Sequence, residues 1–192
     1  MPETHEQTKS SGSPGPVVMT AAQMSRALNR MVHEILERNG GAENLALVGV
    51  RTRGYPLALR LASLIERVEG KRPPTGAVDV TFFRDDFRLR AKAPQEFTDI
   101  PFAVDNKNIV LVDDVFFTGR TTRAAMETVM EFGRPRTIQL AVLVDRNHRE
   151  LPIHPDYVAK RVETALDEVI RVRLKEIDGE DQVLLVRGGV TP

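Results

Sequence analysis

The chain has 192 residues, with 27 Lys+Arg against 27 Asp+Glu, so its formal net charge is zero. Hydrophobic residues make up 41% and charged residues 28%, a composition that excludes disorder over the whole length. There is no Cys, which excludes a disulfide framework, a thiolate nucleophile and a Cys-based zinc site and fits a reducing compartment.

The length suits one domain with a real core. No apolar run approaches the roughly 18–20 residues that cross a bilayer. The neutral balance gives no global argument for nucleic-acid binding.

Residues 1–16 are polar, end in Ser, Gly and Pro, and read as a disordered tail ahead of a single domain at 17–192. Thr20 and Gln23 match a capping box, and Met24, Leu28, Met31 and Ile35 then recur at helical spacing until Gly40-Gly41. Residues 44–50 read as a buried strand. A loop, Arg51-Thr-Arg-Gly54, leads into a second helix with Pro56 in its first turn and a stripe of Leu57, Leu61, Leu64, Ile65 and Val68. Residues 77–83 read as a strand. Residues 84–107 are long, charged and without period, the mark of a functional loop. A strand at 108–112, a helix at 121–132, a strand at 137–144 and two more strands at 169–174 and 183–186 complete the series. Strands alternating with helices predict βαβ units and a mainly parallel sheet, an α/β fold.

The chemistry concentrates in Ile109-Val-Leu-Val-Asp-Asp-Val-Phe-Phe-Thr-Gly-Arg-Thr-Thr122. An apolar strand ends in two carboxylates, and a hydroxyl- and Gly-containing turn then opens a helix. Ligands of α/β sheets bind beyond the carboxyl ends of strands. Helix N-terminal N–H groups and Thr hydroxyls cradle an anion, and Gly119 lets a phosphate approach the backbone. Carboxylates repel a phosphate but suit hydroxyls or magnesium. Together these groups want a phosphorylated sugar. The bland alternative is a strand-end turn followed by a helix cap.

The whole string resembles the phosphoribosyl-diphosphate (PRPP) signature of type I phosphoribosyltransferases. Within that class, Leu47-Val-Gly-Val-Arg-Thr-Arg-Gly54, Asp79-Val-Thr-Phe-Phe-Arg-Asp-Asp86, Ile138-Gln-Leu-Ala-Val-Leu-Val-Asp-Arg-Asn-His-Arg-Glu-Leu-Pro-Ile153 and the helix Ser25-Arg-Ala-Leu-Asn-Arg-Met-Val-His-Glu-Ile-Leu-Glu-Arg-Asn39 resemble the PyrR family. Those proteins are bacterial regulators of pyrimidine-operon attenuation and uracil phosphoribosyltransferases. The match runs over about residues 17–187.

The resemblance implies a type I phosphoribosyltransferase fold with a flexible hood, and conversion of uracil and PRPP to UMP and diphosphate in the cytoplasm. It implies that Asp113 and Asp114 hold the ribose hydroxyls and act with Arg84 as the catalytic set. The PRPP segment is Val110, Leu111, Val112, Asp113, Asp114, Val115, Phe116, Phe117, Thr118, Gly119, Arg120, Thr121 and Thr122, with positions 118–122 around the 5′-phosphate. Arg51, Thr52, Arg53 and Gly54 would grip the diphosphate, with Mg2+ carried mainly by PRPP, no certain protein ligand for it and no organic cofactor. Arg84, Asp85 and Asp86 would begin a mobile lid spanning 84–107, and Val144, Asp145 and Arg146 would line the uracil pocket.

The first helix carries a second stripe, Arg26, Arg30 and His33, with Arg38 a turn further on. Pairing with Glu34 and Glu37 makes this an ordinary solvated face. The resemblance implies an RNA face instead, built from Arg30, His33, Arg38, Arg146, His148 and Arg149 in a homodimer or a dimer of dimers, and binding leader mRNA under control of UMP. Between residues 134 and 161 six cations face three carboxylates, while residues 162–192 hold four cations and seven carboxylates. The neutral total therefore hides a basic stretch and an acidic one. Two positions depart from the family: Phe117, often Tyr, and Asn29, often Thr on the RNA face. Three readings stay open: attenuator and enzyme, enzyme alone, or sensor with little catalysis. A purine enzyme is more distant, since that family usually has Glu-Asp at positions 113 and 114.

Overall fold

The computed structural model describes residues 15–80 and 98–187. Its elements run β1 (Val17–Thr20), α1 (Ala21–Asn39), β2 (Leu45–Val50), α2 (Gly54–Glu69), β3 (Thr75–Val78), β4 (Asn108–Phe116), α3 (Arg120–Glu131), β5 (Thr137–Asp145), β6 (Tyr157–Arg161), β7 (Glu168–Arg173), α4 (Lys175–Asp178) and β8 (Gln182–Arg187).

The capping box forms as the sequence predicts. Thr20 Oγ1 accepts from the Gln23 N–H, and Gln23 Oε1 accepts from the Thr20 N–H at 2.8 Å. The two bonds satisfy two of the donors a helix start leaves open. Gly40, at φ 65°, ends α1 in the left-handed region.

Five parallel strands form the main sheet in the order β3-β2-β4-β5-β6. Helices cover both faces, so β2 is buried at every position. Alternation along β4 splits the core: Val110 and Val112 join α1 and α2 on one side, and Ile109 and Leu111 join α3 on the other. Truncating a fully buried side chain such as Leu61 to Ala should cost about 2–5 kcal/mol.

The last two strands form as the sequence predicts but lie outside the parallel sheet, an arrangement the strand–helix alternation does not announce. β7 and β8 do not extend the parallel sheet. They pair antiparallel with each other and with β1 in a separate three-stranded sheet, order β1-β8-β7. This sheet leans on the first core through Ile170, Val172, Leu174 and Val183. The edge strand β6 was not anticipated either; only Tyr157 within it is buried.

Of the expected loop at 84–107, residues 98–107 are described, and they pack on the domain. Asp99 and Ala77 exchange backbone hydrogen bonds at 2.7 and 2.8 Å, and Val104 is fully buried in the second core. Residues 98–107 are thus fixed scaffold, because their apolar side chains are swallowed by the α3 side of the sheet. Arg84, Asp85, Asp86 and the rest of the expected lid, together with residues 81–83 of the expected strand, lie outside the described residues. So do residues 1–14 of the expected tail. Pro16 already belongs to the domain, accepting from Leu185 N–H at 3.0 Å.

Candidate active site

β2 connects to β3 on one side of it, and β4 lies on its other side, leading on to β5. The carboxyl ends of β2 and β4 therefore flank the point where strand order reverses, the place where α/β folds bind ligands. Two glycines bring the parts together. A Cβ on Gly49 would lie 2.3 Å from Tyr55 Cα, so the turn from β2 into α2 is tight. A Cβ on Gly54 would lie 2.2 Å from the Val112 oxygen. The start of α2 thus presses on the end of β4, and loop 51–54 sits beside Asp113. The Arg51–Thr52 peptide is cis.

β4 runs further than the apolar pattern predicts and carries both carboxylates within the strand. Asp113 is only 8% exposed, and Asp114 is half-buried. Asp113 Oδ1 accepts from the Asp114 N–H at 2.9 Å, and Asp114 Oδ1 accepts from the Val115 N–H at 3.0 Å. Each carboxylate is locked to the backbone that follows it. Gly119, at φ 92°, then turns the chain into α3 as its N-cap. It offers no capping side chain, and the first turn holds no acidic residue. A helix start without a capping side chain at its N-cap has N–H groups that can receive an anion. Thr118 Oγ1 accepts from the Arg120 N–H at 3.4 Å, and Gly119 O accepts from the Arg123 N–H at 2.9 Å. Glu150 braces the same turn: its N–H donates to Thr118 O at 2.9 Å and its carboxylate pairs with Arg120 at 3.0 Å. That brace was missed in the sequence, where Glu150 looks like one more surface acid.

The segment divides by role. Val110, Leu111, Val112, Phe116 and Thr122 are buried. The first four are core side chains that hold the strand end in place. Asp114, Val115, Phe117, Thr118 and Thr121 are partly exposed, and Arg120 is exposed.

Across the sheet, Val115 and Phe116 pair in register with Val144 and Asp145. The Arg146 N–H donates to Phe116 O at 3.0 Å. Arg146 itself is 6% exposed. Its Nε donates to Thr164 Oγ1 at 2.9 Å, and its Nη2 to Ala165 O at 3.1 Å and Glu168 O at 2.6 Å. Burial pushes the guanidinium below its ordinary pKa, with the Glu168 charge opposing. His148 Nε2 donates to Thr164 O at 2.6 Å. Arg146 and His148 therefore tie the 164–168 segment to the end of β5. Arg146 is directed inward, which leaves Arg30, His33, Arg38, His148 and Arg149 as the expected RNA-facing set.

Within that set, Arg30 donates to Ala159 O at 2.8 Å and Val158 O at 3.3 Å and pairs with Glu34 at 3.3 Å. Arg38 pairs with Asp156 at 2.6 Å and lies over the Tyr157 ring. Both fasten α1 to β6 while keeping about half of each side chain in solvent. His33 and Arg149 are exposed, and His148 is half-buried. Lys160, on the same strand, donates to Val18 O at 2.6 Å.

Residues 19–176 match the phosphoribosyl transferase domain family. The chain is 53% identical to the bifunctional protein PyrR of Chloroflexus aurantiacus over 172 residues, 89% of this chain and 94% of that protein. It is 54% identical to the bifunctional protein PyrR of Thermus aquaticus, over 88% of this chain and 93% of the relative. The chain belongs to the PyrR family. Among solved structures, the hypoxanthine phosphoribosyltransferase of Trypanosoma cruzi superposes with a TM-score of 0.69 at 14% identity, covering 92% of this chain and 98% of its own, a likeness of fold. The PyrR-family fold is thus the α/β fold of type I phosphoribosyltransferases, as the sequence predicts.

The donors of this site would suit a magnesium ion that a ligand brings with it better than one held by the protein alone. Among the described residues no group of three His, Cys, Asp or Glu side chains could hold an ion. Asp113 and Asp114 each spend one oxygen on a backbone N–H, so they suit hydroxyls or an ion's water shell more than a closed cage.

Proposed function

We propose that the chain transfers the phosphoribosyl group of PRPP to uracil, giving UMP and diphosphate, and binds leader mRNA of the pyrimidine operon in response to UMP. The observation that carries the enzymatic reading is the locked pair Asp113-Asp114 ending beside an uncapped helix N-terminus, with loop 51–54 pressed against it through Gly54.

In this reading Asp113 and Asp114 accept from the ribose hydroxyls. The N–H groups of Thr118–Thr122 and their hydroxyls take the 5′-phosphate. Loop 51–54 takes the diphosphate, and Arg51 brings an exposed cation whose guanidinium lies 5.6 Å from the Tyr55 ring centroid. Breaking C1–O releases diphosphate with the bonding electrons and leaves an oxocarbenium-like ribose. Uracil N1 forms the new bond to C1 and gives up its proton. Magnesium, when bound with the diphosphate, neutralises charge on the leaving oxygens. The protein needs no covalent nucleophile: it positions the two partners, stabilises charge and excludes water. Val144, Asp145 and Arg146, at the mouth of β5, form the base side of the cleft.

For RNA, we infer a basic face on α1 and the 148–149 turn, doubled in a homodimer or a dimer of dimers in the cytoplasm. The test is direct. The protein is incubated with PRPP, magnesium and uracil, guanine, hypoxanthine or orotate, and nucleotide formation is followed. Uracil turnover is expected; turnover of a purine in its place overturns the assignment. Titration of the leader RNA should then show tighter binding with UMP than without it.

A further inference from the structure

The acidic end of the chain, which the phosphoribosyl chemistry leaves unused, closes on the arginines that follow β2. Asp178 Oδ1 and Oδ2 accept from Arg53 Nη2 at 3.0 and 3.3 Å. Two turns along α2, Arg60 makes paired bonds to Glu176, at 2.8 and 2.5 Å, and to Asp181, at 3.0 and 2.6 Å. The α4 turn thus carries three carboxylates that hold the start and middle of the α2 segment.

Asp178 is itself anchored. Its Oδ2 accepts from the N–H of fully buried Leu174 at 2.9 Å, and Gly179 closes α4 at φ 80°. Arg53 is less content. It is the N-cap residue of α2, yet its Nε is buried with no hydrogen-bond partner. A buried unpaired donor is costly, so Arg53 does not rest there for its own satisfaction. Asp178 is the contact that offsets this cost. Arg53 belongs to loop 51–54, whose far end is pinned by Gly54 against β4. Moving Arg53 therefore moves the loop.

We propose that Asp178 is a positioning residue for the diphosphate loop: through Arg53 it sets the path of residues 51–54, and so the affinity for PRPP and diphosphate but not for uracil. This rests on the phosphoribosyl-transfer reading above. Isolated surface ion pairs often do nothing measurable. This pair differs because the two side chains are only 32% and 22% exposed, and one of them lies in the loop that would carry the ligand.

The experiment compares wild type, Asp178→Asn, Arg53→Lys and the double variant. Steady-state kinetics are run for both substrates, and magnesium diphosphate is titrated by calorimetry. Asp178→Asn is expected to raise KM for PRPP and Kd for magnesium diphosphate about five- to tenfold, a coupling ordinary for a contacting pair. KM for uracil and kcat should stay within about twofold, the split expected of lost ground-state binding. The double variant should be no worse than the worse single, and Asp178→Glu should recover part of the loss. Unchanged PRPP and diphosphate affinity in Asp178→Asn overturns the proposal. So does an equal rise in both KM values together with a fall in Tm, or strict additivity of the two substitutions. If wild type binds magnesium diphosphate, and Asp178→Asn weakens that binding, while uracil is not turned over, the uracil reading fails and the positioning role stands. Absence of diphosphate binding in wild type overturns both.

Discussion

The guanidinium carbon of Arg146 lies 4.0 Å from the centroid of the Phe117 ring. His148 meets the same ring edge-on, with centroids 5.6 Å apart. One aromatic from the turn after β4 is thus gripped by two side chains from the turn after β5, and both also hold segment 164–168. The phenolic hydroxyl often found at this position in the family is not part of the contact, since the ring face and edge do the holding. A desolvated Arg–aromatic stack contributes about 2 kcal/mol.

Arg146→Met should therefore loosen the base side of the cleft as a unit. It removes the stack and the hydrogen bonds that the guanidinium donates to Thr164 Oγ1 and to the carbonyls of Ala165 and Glu168, each bond from a charged group contributing about 1.5–3 kcal/mol. The expected result is a lower urea midpoint and a kcat/KM for uracil that falls more than that for PRPP. A variant with wild-type stability and uracil KM would show that the inward arginine is idle.

Asp114→Asn tests the ribose contact. The side chain keeps its size and can still accept from the Val115 N–H, so the fold should survive, with circular dichroism and Tm close to wild type. Loss of one preorganised charge-stabilising contact usually costs about 10²–10³ in rate. Turnover near the wild-type value would refute the role given to this carboxylate.

How much of this could be read in advance follows from where each signal lives. Thr20 and Gln23 announce α1 because a capping box is local chemistry, three residues apart. The segment from Ile109 to Thr122 announces the site because strand, carboxylates, glycine turn and helix start are contiguous. β1 and β6 were missed because they are short edge strands that bury few side chains. Burial of Arg146 could not be read either, since its partners lie 18–22 residues away and an arginine in a basic stretch looks solvated. Ile100 and Val104 sit as isolated apolar residues in a charged stretch, too few to show a period, yet they fix its second half in the core. In the sequence the C-terminal acids show only as net charge, because their partners Arg53 and Arg60 lie more than a hundred residues away.

Arg149→Ala tests the RNA face with little structural side effect, because Arg149 is exposed. Removing one phosphate contact should weaken leader-RNA binding and reduce the slope of log K against log salt by about one on a duplex stem. Uracil turnover should not change. An unchanged slope would place the RNA elsewhere on the molecule.

Acid should undo the clasp between α4 and α2. Hydrogen bonds from Arg60 hold the Glu176 carboxyl below its ordinary 4.5, with burial opposing. Arg60 is raised above its already high range by the Glu176 contact and stays charged throughout. A carboxylate whose folded value is depressed contributes stability that is complete above its unfolded pKa and is lost as pH falls through the folded value. The urea midpoint should therefore fall as pH drops from about 5 toward 3. Glu176→Gln should be less stable than wild type at pH 7 by about 0.5–1 kcal/mol, since solvent screens a half-exposed carboxylate. It should also lose less than wild type on acidification. Parallel pH profiles for the two proteins would mean that this pair contributes nothing, and that acid sensitivity comes from the other depressed carboxylates, Glu43, Glu168, Asp178 and Asp181.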